Sequence, residues 1–213
     1  MAHLPIDHSD VPIRLFKSDF LEFFTHISPV AVIIIWVPVS LFFLLKEVVR
    51  PIQPGSSLWH LPVGFLIGAF LWTFAEYTLH RFLFHYQPKT PRAERIFFLF
   101  HGVHHAQPQC KTRLVMPPVV SIPMAFMAYG LLYLLFGWIL GLPFWVGPVF
   151  SGFIAGYLFY DLTHYATHHF PMRRGIWKYL KRYHMQHHYK TPNARFGVSS
   201  PLWDLIFRTK PAP

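Results

Sequence analysis

Long apolar stretches alternate with shorter polar ones along this chain. Apolar residues dominate from Ile27 to Val49, from Leu58 to Leu79, and again from Leu114 to Tyr160. A helix of about 20 residues crosses a hydrocarbon core of ~30 Å, and the last stretch is broken at Gly141-Leu-Pro143, where we expect a tight turn. The pattern therefore predicts four membrane-spanning helices at about 27–49, 58–79, 114–140 and 143–163.

The polar stretches complete the predicted architecture, which is all-α. We expect residues 1–26 to form a cytosolic N-terminal arm and residues 27–209 to form one membrane domain. Segments 80–113 and 164–209 would build a helical cap on that domain. The short apolar run 96–100 within the cap cannot span a bilayer, so we expect a helix lying at the membrane surface.

Charge supports the same topology. Four spans place both chain ends and both cap segments on one side of the membrane. Lys46 and Arg50 lie near the opposite side, whereas the other seventeen of the nineteen lysines and arginines lie on the cap side. Because cytoplasmic loops carry the excess of Lys and Arg, we expect a multi-pass protein whose cap faces the cytoplasm. The membrane would be the endoplasmic reticulum in a eukaryote and the inner membrane in a bacterium.

Composition favours a polytopic membrane protein over a soluble domain. The chain is 53% hydrophobic and only 13% charged, about half of the roughly 25% typical of globular proteins. The net charge of +10 is carried by segments that flank the spans and contain aromatic residues, which favours lipid headgroups over nucleic acid. The single cysteine, Cys110, excludes an internal disulfide and a zinc site built on CxxC pairs.

Histidines are the distinctive chemical feature of the cap. Eleven of the fifteen histidines fall in four clusters: His80 and His85; His101, His104 and His105; His164, His168 and His169; His184, His187 and His188. The other four, His3, His8, His26 and His60, are interpreted as surface or hydrogen-bonded residues.

Helical spacing separates the stronger ligand candidates from the weaker ones. Residues three and four apart share a helix face, so the two HxxHH clusters each present three imidazoles together, and His164 and His168 agree with each other. His169 lies about 140° from His164 at ~100° per residue and is the weakest candidate. His80 and His85, five apart, cannot share a regular helical face, so we expect His85 to lie beyond the helix end and fold back.

The ten remaining histidines exceed the ligands that one ion can use, which predicts two metal ions. Structural zinc sites have four ligands and favour cysteine, whereas imidazole suits iron, zinc and copper alike. We therefore predict a dimetal centre at the cytoplasmic interface, with iron in the working protein and zinc possible after purification. Glu76 and Asp161 each precede a ligand by one turn and are expected to accept its other ring N–H; a packing role or a helix-end charge is the alternative.

Such a centre beside lipid suits oxidation of a lipid C–H bond by O2, since the metal carries the hard step. The chain contains no GxGxxG fingerprint for a flavin or nicotinamide, so we expect electrons from another protein. Arg173, Arg174, Lys178, Lys181 and Arg182 are interpreted as contacts for lipid headgroups or for an acidic electron donor.

The residues that carry this chemistry resemble the fatty acid hydroxylase/sterol desaturase superfamily, over roughly residues 60–209. Within it the chain is most similar to fatty acid 2-hydroxylases that act on sphingolipid acyl chains. The resemblance rests on Glu76–His85, His101–His105, Arg113–Pro118, Tyr160–His169, His184–His188 and Phe196–Asp204.

The resemblance implies a four-helix membrane anchor whose cytosolic cap holds two metal ions. It also implies ligands at His80, His85, His101, His104, His105, His164, His168, His184, His187 and His188. Eukaryotic members often carry a cytochrome b5 domain, and because residues 1–26 are too few to hold one, we expect a separate donor such as cytochrome b5 or a ferredoxin.

The function predicted is hydroxylation at C2 of a long-chain acyl group, free or in a sphingolipid or ceramide. We expect the acyl chain to enter between the second and fourth spans and to present C2 beneath the metals. Two alternatives stay open at this point: a sterol or carotenoid hydroxylase or desaturase of the same superfamily, and a non-catalytic membrane metal-binding protein.

Overall fold

Helices account for the regular secondary structure of the part of the chain that the structure, a computed structural model, describes: residues 6–49 and 58–211. The α-helices are α1 (Asp19–Phe23), α2 (Pro29–Val48), α3 (His60–Thr78), α4 (Pro91–Phe97), α5 (Val103–Ala106), α6 (Pro118–Leu132), α7 (Pro143–His169), α8 (Gly175–Tyr189) and α9 (Leu202–Ile206). Three π-helical segments, Leu79–Phe84, Phe98–Gly102 and Tyr133–Ile139, continue α3, α4 and α6. The all-α prediction is confirmed.

The described residues divide into two compact units. The first comprises those within Met1–Pro29, Thr73–Met116 and Tyr160–Pro213, and the second those within Val30–Trp72 and Pro117–Phe159. All the histidine clusters lie in the first unit, and the apolar helices supply most of the second. Helices α3 and α7 each begin in the second unit and end in the first, so each delivers ligand candidates at its C-terminal end.

Three of the described helices are long and apolar enough to cross a membrane: Pro29–Val48, His60–Phe84 and Pro118–Ile139. Their apolar residues are largely exposed at the protein surface, as lipid-facing positions should be. Helix α7, the predicted fourth span, is long enough but is not among the three, since glycines, prolines and polar aromatic residues lower its mean hydropathy. The arrangement of four spans under a cytosolic cap stays a prediction.

Glycines bring α3 and α7 into backbone contact within the second unit. A Cβ atom on Gly68 would lie 1.9 Å from the carbonyl oxygen of Val149, and one on Gly152 would lie 1.9 Å from that of Phe65. Small residues allow such close approach of membrane helices. The prediction that an acyl chain enters between the second and fourth spans is therefore wrong, because these helices leave no space for one along this seam.

A reciprocal hydrogen-bond pair joins α2 to α7 in the same unit. Ser40 Oγ donates to the carbonyl oxygen of Ser151 at 3.0 Å, and Ser151 Oγ donates to that of Ser40 at 2.8 Å. Both serines are buried, and such polar contacts between apolar helices contribute about 0.6–2 kcal/mol in a membrane. The second unit is thus held by close packing and a few polar contacts.

Candidate metal centre

The structure gathers the ten predicted ligands into two groups of five. The first group consists of His80, His85, His101, His105 and His187; the second group consists of His104, His164, His168, His184 and His188. Within each group the five candidate ligand atoms lie within 4.8 Å of one another. His169 belongs to neither group, and its role as a non-ligand stays a prediction like the ligand roles of the ten.

In both groups the Nε2 atoms of the rings converge. In the first group the Nε2 atom of His101 lies 3.2 Å from that of His80 and 3.0 Å from that of His105. In the second group the Nε2 atom of His104 lies 2.9 Å from that of His164 and 3.0 Å from that of His188. Metal–imidazole bonds of about 2.1 Å place neighbouring octahedral ligands about 3.0 Å apart. The donor atoms therefore fit one ion in each group.

Each HxxHH motif serves both groups, because its middle histidine turns away from the outer two. His101 and His105, one helical turn apart, belong to the first group, while His104 between them belongs to the second. In α8 the assignment is reversed: His187 belongs to the first group and lies between two members of the second. The two groups are close, since the rings of His105 and His188 stack at 4.1 Å between centroids.

A π turn brings His80 and His85 together. The Leu79–Phe84 segment continues α3, and the backbone N–H of His85 donates to the carbonyl oxygen of His80 at 3.0 Å, an i to i+5 bond. The wider π turn lets residues five apart lie on one side, and the two ring centroids are 4.8 Å apart. As predicted, His85 lies beyond the helix end, as the residue that follows Phe84. The wider π turn is what brings it back to His80.

Regular α-helix supplies the pairs of the second group. His164 and His168 are one turn apart near the end of α7, and His184 and His188 are one turn apart in α8. Lys181 fixes the junction between these helices, since its Nζ donates to the carbonyl oxygens of Thr167 at 2.6 Å and of Phe170 at 2.9 Å, near the end of α7. A cation is favourable at a helix C-terminus, so Lys181 also stabilises the end of the helix.

The ligand candidates are held as neutral imidazoles. Nine of the ten are buried and His105 is half-buried. Burial, followed by repulsion from His80, lowers the pKa of His105 to about 3. Burial, followed by repulsion from neighbouring rings, also holds the pKa of His184 and His188 well below its usual range. Neutral imidazole is the form that binds a metal, so the site is ready for ions without losing protons.

Backbone carbonyls orient two ligands of the first group. His80 Nδ1 donates to the carbonyl oxygen of Phe196 at 2.5 Å, and His187 Nδ1 donates to that of Ala194 at 2.7 Å. A proton on Nδ1 leaves the lone pair on Nε2, which is directed into the group. In the second group the buried Nδ1 atoms of His104, His168, His184 and His188 have no hydrogen-bond partner among the described residues.

The two predicted supporting carboxylates are buried and both accept backbone N–H groups. Glu76 accepts the backbone N–H groups of Val198 at 2.6 Å and Ser199 at 2.8 Å, together with the Ser199 hydroxyl. The direct contact predicted between Glu76 and His80 was therefore wrong. Asp161 accepts the backbone N–H of Met116 at 3.2 and 3.1 Å and so holds the start of the segment leading to α6.

The N-terminal arm fastens the segment that carries His101, His104 and His105. The backbone N–H of Asp7 donates to the carbonyl oxygen of Ala106 at 2.8 Å. The buried amide of Gln107 donates to the Asp7 carboxylate at 2.8 Å and accepts the N–H of Ile13 at 2.8 Å. The Arg113 guanidinium contacts the Glu22 carboxylate and the Ile13 carbonyl. The arm is thus part of the support of the site.

Sequence reasoning missed Gln107, the carbonyls of Ala194 and Phe196, and Asp204. Backbone carbonyls carry no residue-type signal. Asp204 did carry one, because it is the only acidic residue after Asp161, in a stretch with nine lysines and arginines. His26 was interpreted as a surface or hydrogen-bonded residue, and its Nδ1 atom lies 2.8 Å from the Thr112 hydroxyl. His169, the weakest ligand candidate, packs its ring on Tyr165 with 4.5 Å between the centroids.

Known proteins are similar to this chain in sequence, and a solved structure is similar to it in fold. Residues 65–209 match the fatty acid hydroxylase family. The chain is 37% identical to dihydroceramide fatty acyl 2-hydroxylase of Arabidopsis thaliana, over 99% of this chain and 84% of that protein. It is 40% identical to ceramide very long chain fatty acid hydroxylase of Schizosaccharomyces pombe, over 91% of this chain and 54% of that protein.

A mammalian relative and a solved structure give the same result. The chain is 36% identical to fatty acid 2-hydroxylase of Homo sapiens, over 98% of this chain and 58% of that protein. The solved structure of full-length scs7p, in which only the hydroxylase domain is visible, superimposes with a TM-score of 0.81 at 34% identity, over 93% of this chain and 72% of that one. The chain belongs to the fatty acid hydroxylase family.

Proposed function

We propose that this protein is a membrane-bound dimetal monooxygenase that hydroxylates C2 of a long-chain fatty acyl group. The observation that carries the proposal is the pair of buried groups of five imidazoles, whose Nε2 atoms lie at distances that suit one ion each. The family and the names of its members, which specify fatty acids, ceramide and dihydroceramide, support the acyl substrate.

Each group would hold one ion through its five Nε2 atoms. Iron bound there supplies the activation of O2 that attack on an unactivated methylene requires. The protein holds the imidazoles neutral, excludes water by burial, and turns the His80 and His187 rings toward the ion through their Nδ1 hydrogen bonds.

The proposed reaction converts one C–H bond at C2 into C–OH. One O2, two electrons and two protons are consumed; one oxygen atom enters the hydroxyl group and the other leaves as water. The acyl group stays joined to its amide or carboxyl carbon throughout. The reaction therefore needs two electrons per turnover, which we expect a separate protein to deliver one at a time.

Mass spectrometry of total fatty acids tests the proposal. Cells expressing the wild-type protein should accumulate 2-hydroxy acyl chains, with one ¹⁸O atom per product when grown under ¹⁸O₂, whereas cells expressing His184→Ala should not. Iron content of both purified proteins is measured in parallel. An iron-loaded wild-type protein that leaves acyl chains unchanged in the presence of donor, while altering sterols or carotenoids, would contradict the acyl assignment.

The exposed face of α8 is the place where we expect the electron donor to dock. Arg174, Lys178 and Arg182 are exposed and follow one another at four-residue spacing. Like charges at this spacing destabilise a helix by about 0.2–0.5 kcal/mol per pair, and Gly175–Tyr189 contains no acidic residue. Helix α8 buries Leu180 and Tyr183 but exposes Ile176, Trp177 and Tyr179 beside these cations, so lipid headgroups are the competing occupant of this face.

Charge reversal tests this docking face. The donor would lie near the centre, since Arg182 precedes the ligand candidate His184 by about 3 Å of helix rise. The double variant Lys178→Glu, Arg182→Glu should raise the KM for an acidic donor such as cytochrome b5 by about tenfold or more, with unchanged iron content. Arg92→Glu, Arg95→Glu in α4 is the matched control. An unchanged KM with reduced membrane association would assign the face to lipid headgroups instead.

We further propose that the cap and both chain ends face the cytoplasm, as the distribution of basic residues favours. A cysteine introduced at an exposed cap position such as Arg174 should react with an impermeant maleimide only after the membrane is opened. Labelling of intact cells or sealed right-side-out vesicles would contradict this orientation.

A further inference from the structure

One short segment of the first unit supplies both carbonyls that orient ligands of the first group. We name Ala194–Ser199 the carbonyl loop, because its Ala194 and Phe196 oxygens accept the Nδ1 protons of His187 and His80. These two ligands come from different helical segments, α8 and the π segment after α3. The loop therefore fixes the orientation of two rings that no single helix could fix.

The backbone of the carbonyl loop has an irregular conformation. Arg195 has a positive φ of 62°, which favours glycine or asparagine over arginine. A Cβ atom on Gly197 would lie 2.0 Å from the carbonyl oxygen of Ser200, so any side chain there would collide with backbone. A conformation of this kind persists only where the surrounding structure holds it.

Two buried carboxylates hold the loop from opposite ends. Asp204 accepts the N–H of Phe196 at 2.9 Å on Oδ1 and that of Gly197 at 2.7 Å on Oδ2, and its Oδ1 also accepts the Thr209 hydroxyl at 2.6 Å. Glu76 accepts the N–H of Val198 and of Ser199. Both carboxylates are almost fully buried, with Asp204 at 0% and Glu76 at 3% exposure.

Four consecutive backbone N–H groups, from Phe196 to Ser199, thus donate to the two carboxylates. Hydrogen bonds to a carboxylate are roughly twice as strong as neutral ones. The carbonyl of Phe196 belongs to the same planar peptide unit as the N–H of Gly197. Because Asp204 fixes that N–H, it fixes the carbonyl as well. The chain of contacts runs from carboxylate to loop to imidazole to ion.

We propose that Asp204 and Glu76 are positioning residues for the ion of the first group and act through the carbonyl loop. Releasing the loop should weaken the binding of that ion and leave the binding of the second-group ion unchanged. The proposal rests on the metal-binding part of the proposed function but not on the reaction. The second group receives no hydrogen bond from the loop among the described residues, and the Nδ1 atoms of four of its five members have no partner there: His104, His168, His184 and His188. Loss of the loop contacts therefore leaves the second ion in place.

Asp204→Asn is the sharpest single test. The variant keeps the size of the side chain but replaces one oxygen with an NH₂ group, which opposes an N–H of Phe196 or Gly197 instead of accepting it. Loss of an outer-shell partner costs 10- to 100-fold in metal affinity. Protein purified with ⁵⁷Fe should contain about two irons per chain as wild type and about one as Asp204→Asn after a chelator challenge.

Reference variants identify which ion is lost. His187→Ala removes a ligand of the first group and His184→Ala removes one of the second, so their Mössbauer spectra assign the signals. Asp204→Asn should reproduce the His187→Ala loss and keep the signal that His184→Ala removes. Glu47→Gln, the same exchange at a buried carboxylate of the second unit, should keep both irons.

A milder variant keeps the test valid if Asp204→Asn folds poorly. Thr209→Val removes one of the three hydrogen bonds to the Asp204 carboxylate and should weaken binding of the first-group ion several-fold without abolishing it. Equal retention of both ions in Asp204→Asn, or parallel loss of both, would overturn the proposal. A protein that forms no 2-hydroxy product but loses the first-group ion in Asp204→Asn would overturn the reaction and retain this inference.

Discussion

The two histidine groups reach the same arrangement of five imidazoles by different means. The second group takes two i, i+4 pairs from the long helices α7 and α8, so regular backbone places its rings. The first group takes two ligands from a π turn and two from the π segment and short helix after α4, and it takes only His187 from a long helix. Two of its rings, those of His80 and His187, are further fixed by Nδ1 hydrogen bonds to a loop.

This difference teaches that ring orientation can come from helix regularity or from outer hydrogen bonds. A long α-helix restricts χ1 and directs successive side chains predictably, so its histidines need fewer outer contacts. The carbonyl loop supplies outer hydrogen bonds to His80, which the π segment after α3 carries, and to one helical ligand, His187 of α8. We therefore expect the two groups to respond to different mutations.

Removing one ligand from each group should give the largest effects. His187→Ala and His184→Ala should both reduce hydroxylation by more than the 10- to 100-fold expected for an outer-shell partner, because both ions are required. Their iron losses should differ, each variant losing the ion of its own group, as read from Mössbauer spectra. His169→Ala, outside both groups, should keep both irons and near wild-type activity; a loss of iron there would contradict the grouping.

Lys181→Met should act on the second group, with a smaller effect. It removes the two hydrogen bonds from Nζ to the carbonyls of Thr167 and Phe170, which join α8 to the end of α7. Hydrogen bonds from a charged donor contribute about 1.5–3 kcal/mol each before solvent screening, so the second-group ion should leave several-fold faster in a chelator. Lys181→Arg should retain most of the effect of the cation. Faster loss of the first-group ion would contradict the separate supports.

The smallest effect should come from a pair of substitutions at Arg195. Its positive φ suits glycine but not a β-branched residue, and both Arg195→Gly and Arg195→Val lose the same side-chain hydrogen bond to Gln186. The valine variant should therefore bind the first-group ion more weakly than the glycine variant does, because valine adds strain of about 1–3 kcal/mol to the loop. Chelator-dependent iron release measures the difference. Equal release would show that the loop conformation does not matter.

Much of the fold and of the site was accessible from the sequence because periodic signals specify it. Apolar runs predicted the helices of the second unit, and four-residue spacing predicted the pairs His164/His168 and His184/His188, which the structure places on shared faces. The same helical geometry set His169 apart from its neighbours, and His169 lies in neither group.

The errors arose where the backbone departs from a regular period. The five-residue spacing of His80 and His85 is incompatible with a shared face of a regular α-helix, as predicted, but the π turn that brings them together gives no periodic signal of its own. The supports of the first group escaped prediction because Glu76 accepts backbone N–H groups more than one hundred residues away in sequence. Backbone N–H groups, including those that Asp204 accepts, carry no residue-type signal. The close contact of α3 with α7 at their glycines leaves no space for the expected lipid route along this seam.

The glycine seam between α3 and α7 also limits how the second unit can move. Sliding either helix by a fraction of a residue would drive the Val149 or Phe65 carbonyl into the opposite backbone, since even one added Cβ would lie 1.9 Å from each. Closely packed surfaces of this kind have few intermediate positions. The pair should therefore behave as one stiff body on the microsecond timescale of helix motions, and fluctuations that admit a lipid tail must come from the other helices of the bilayer region.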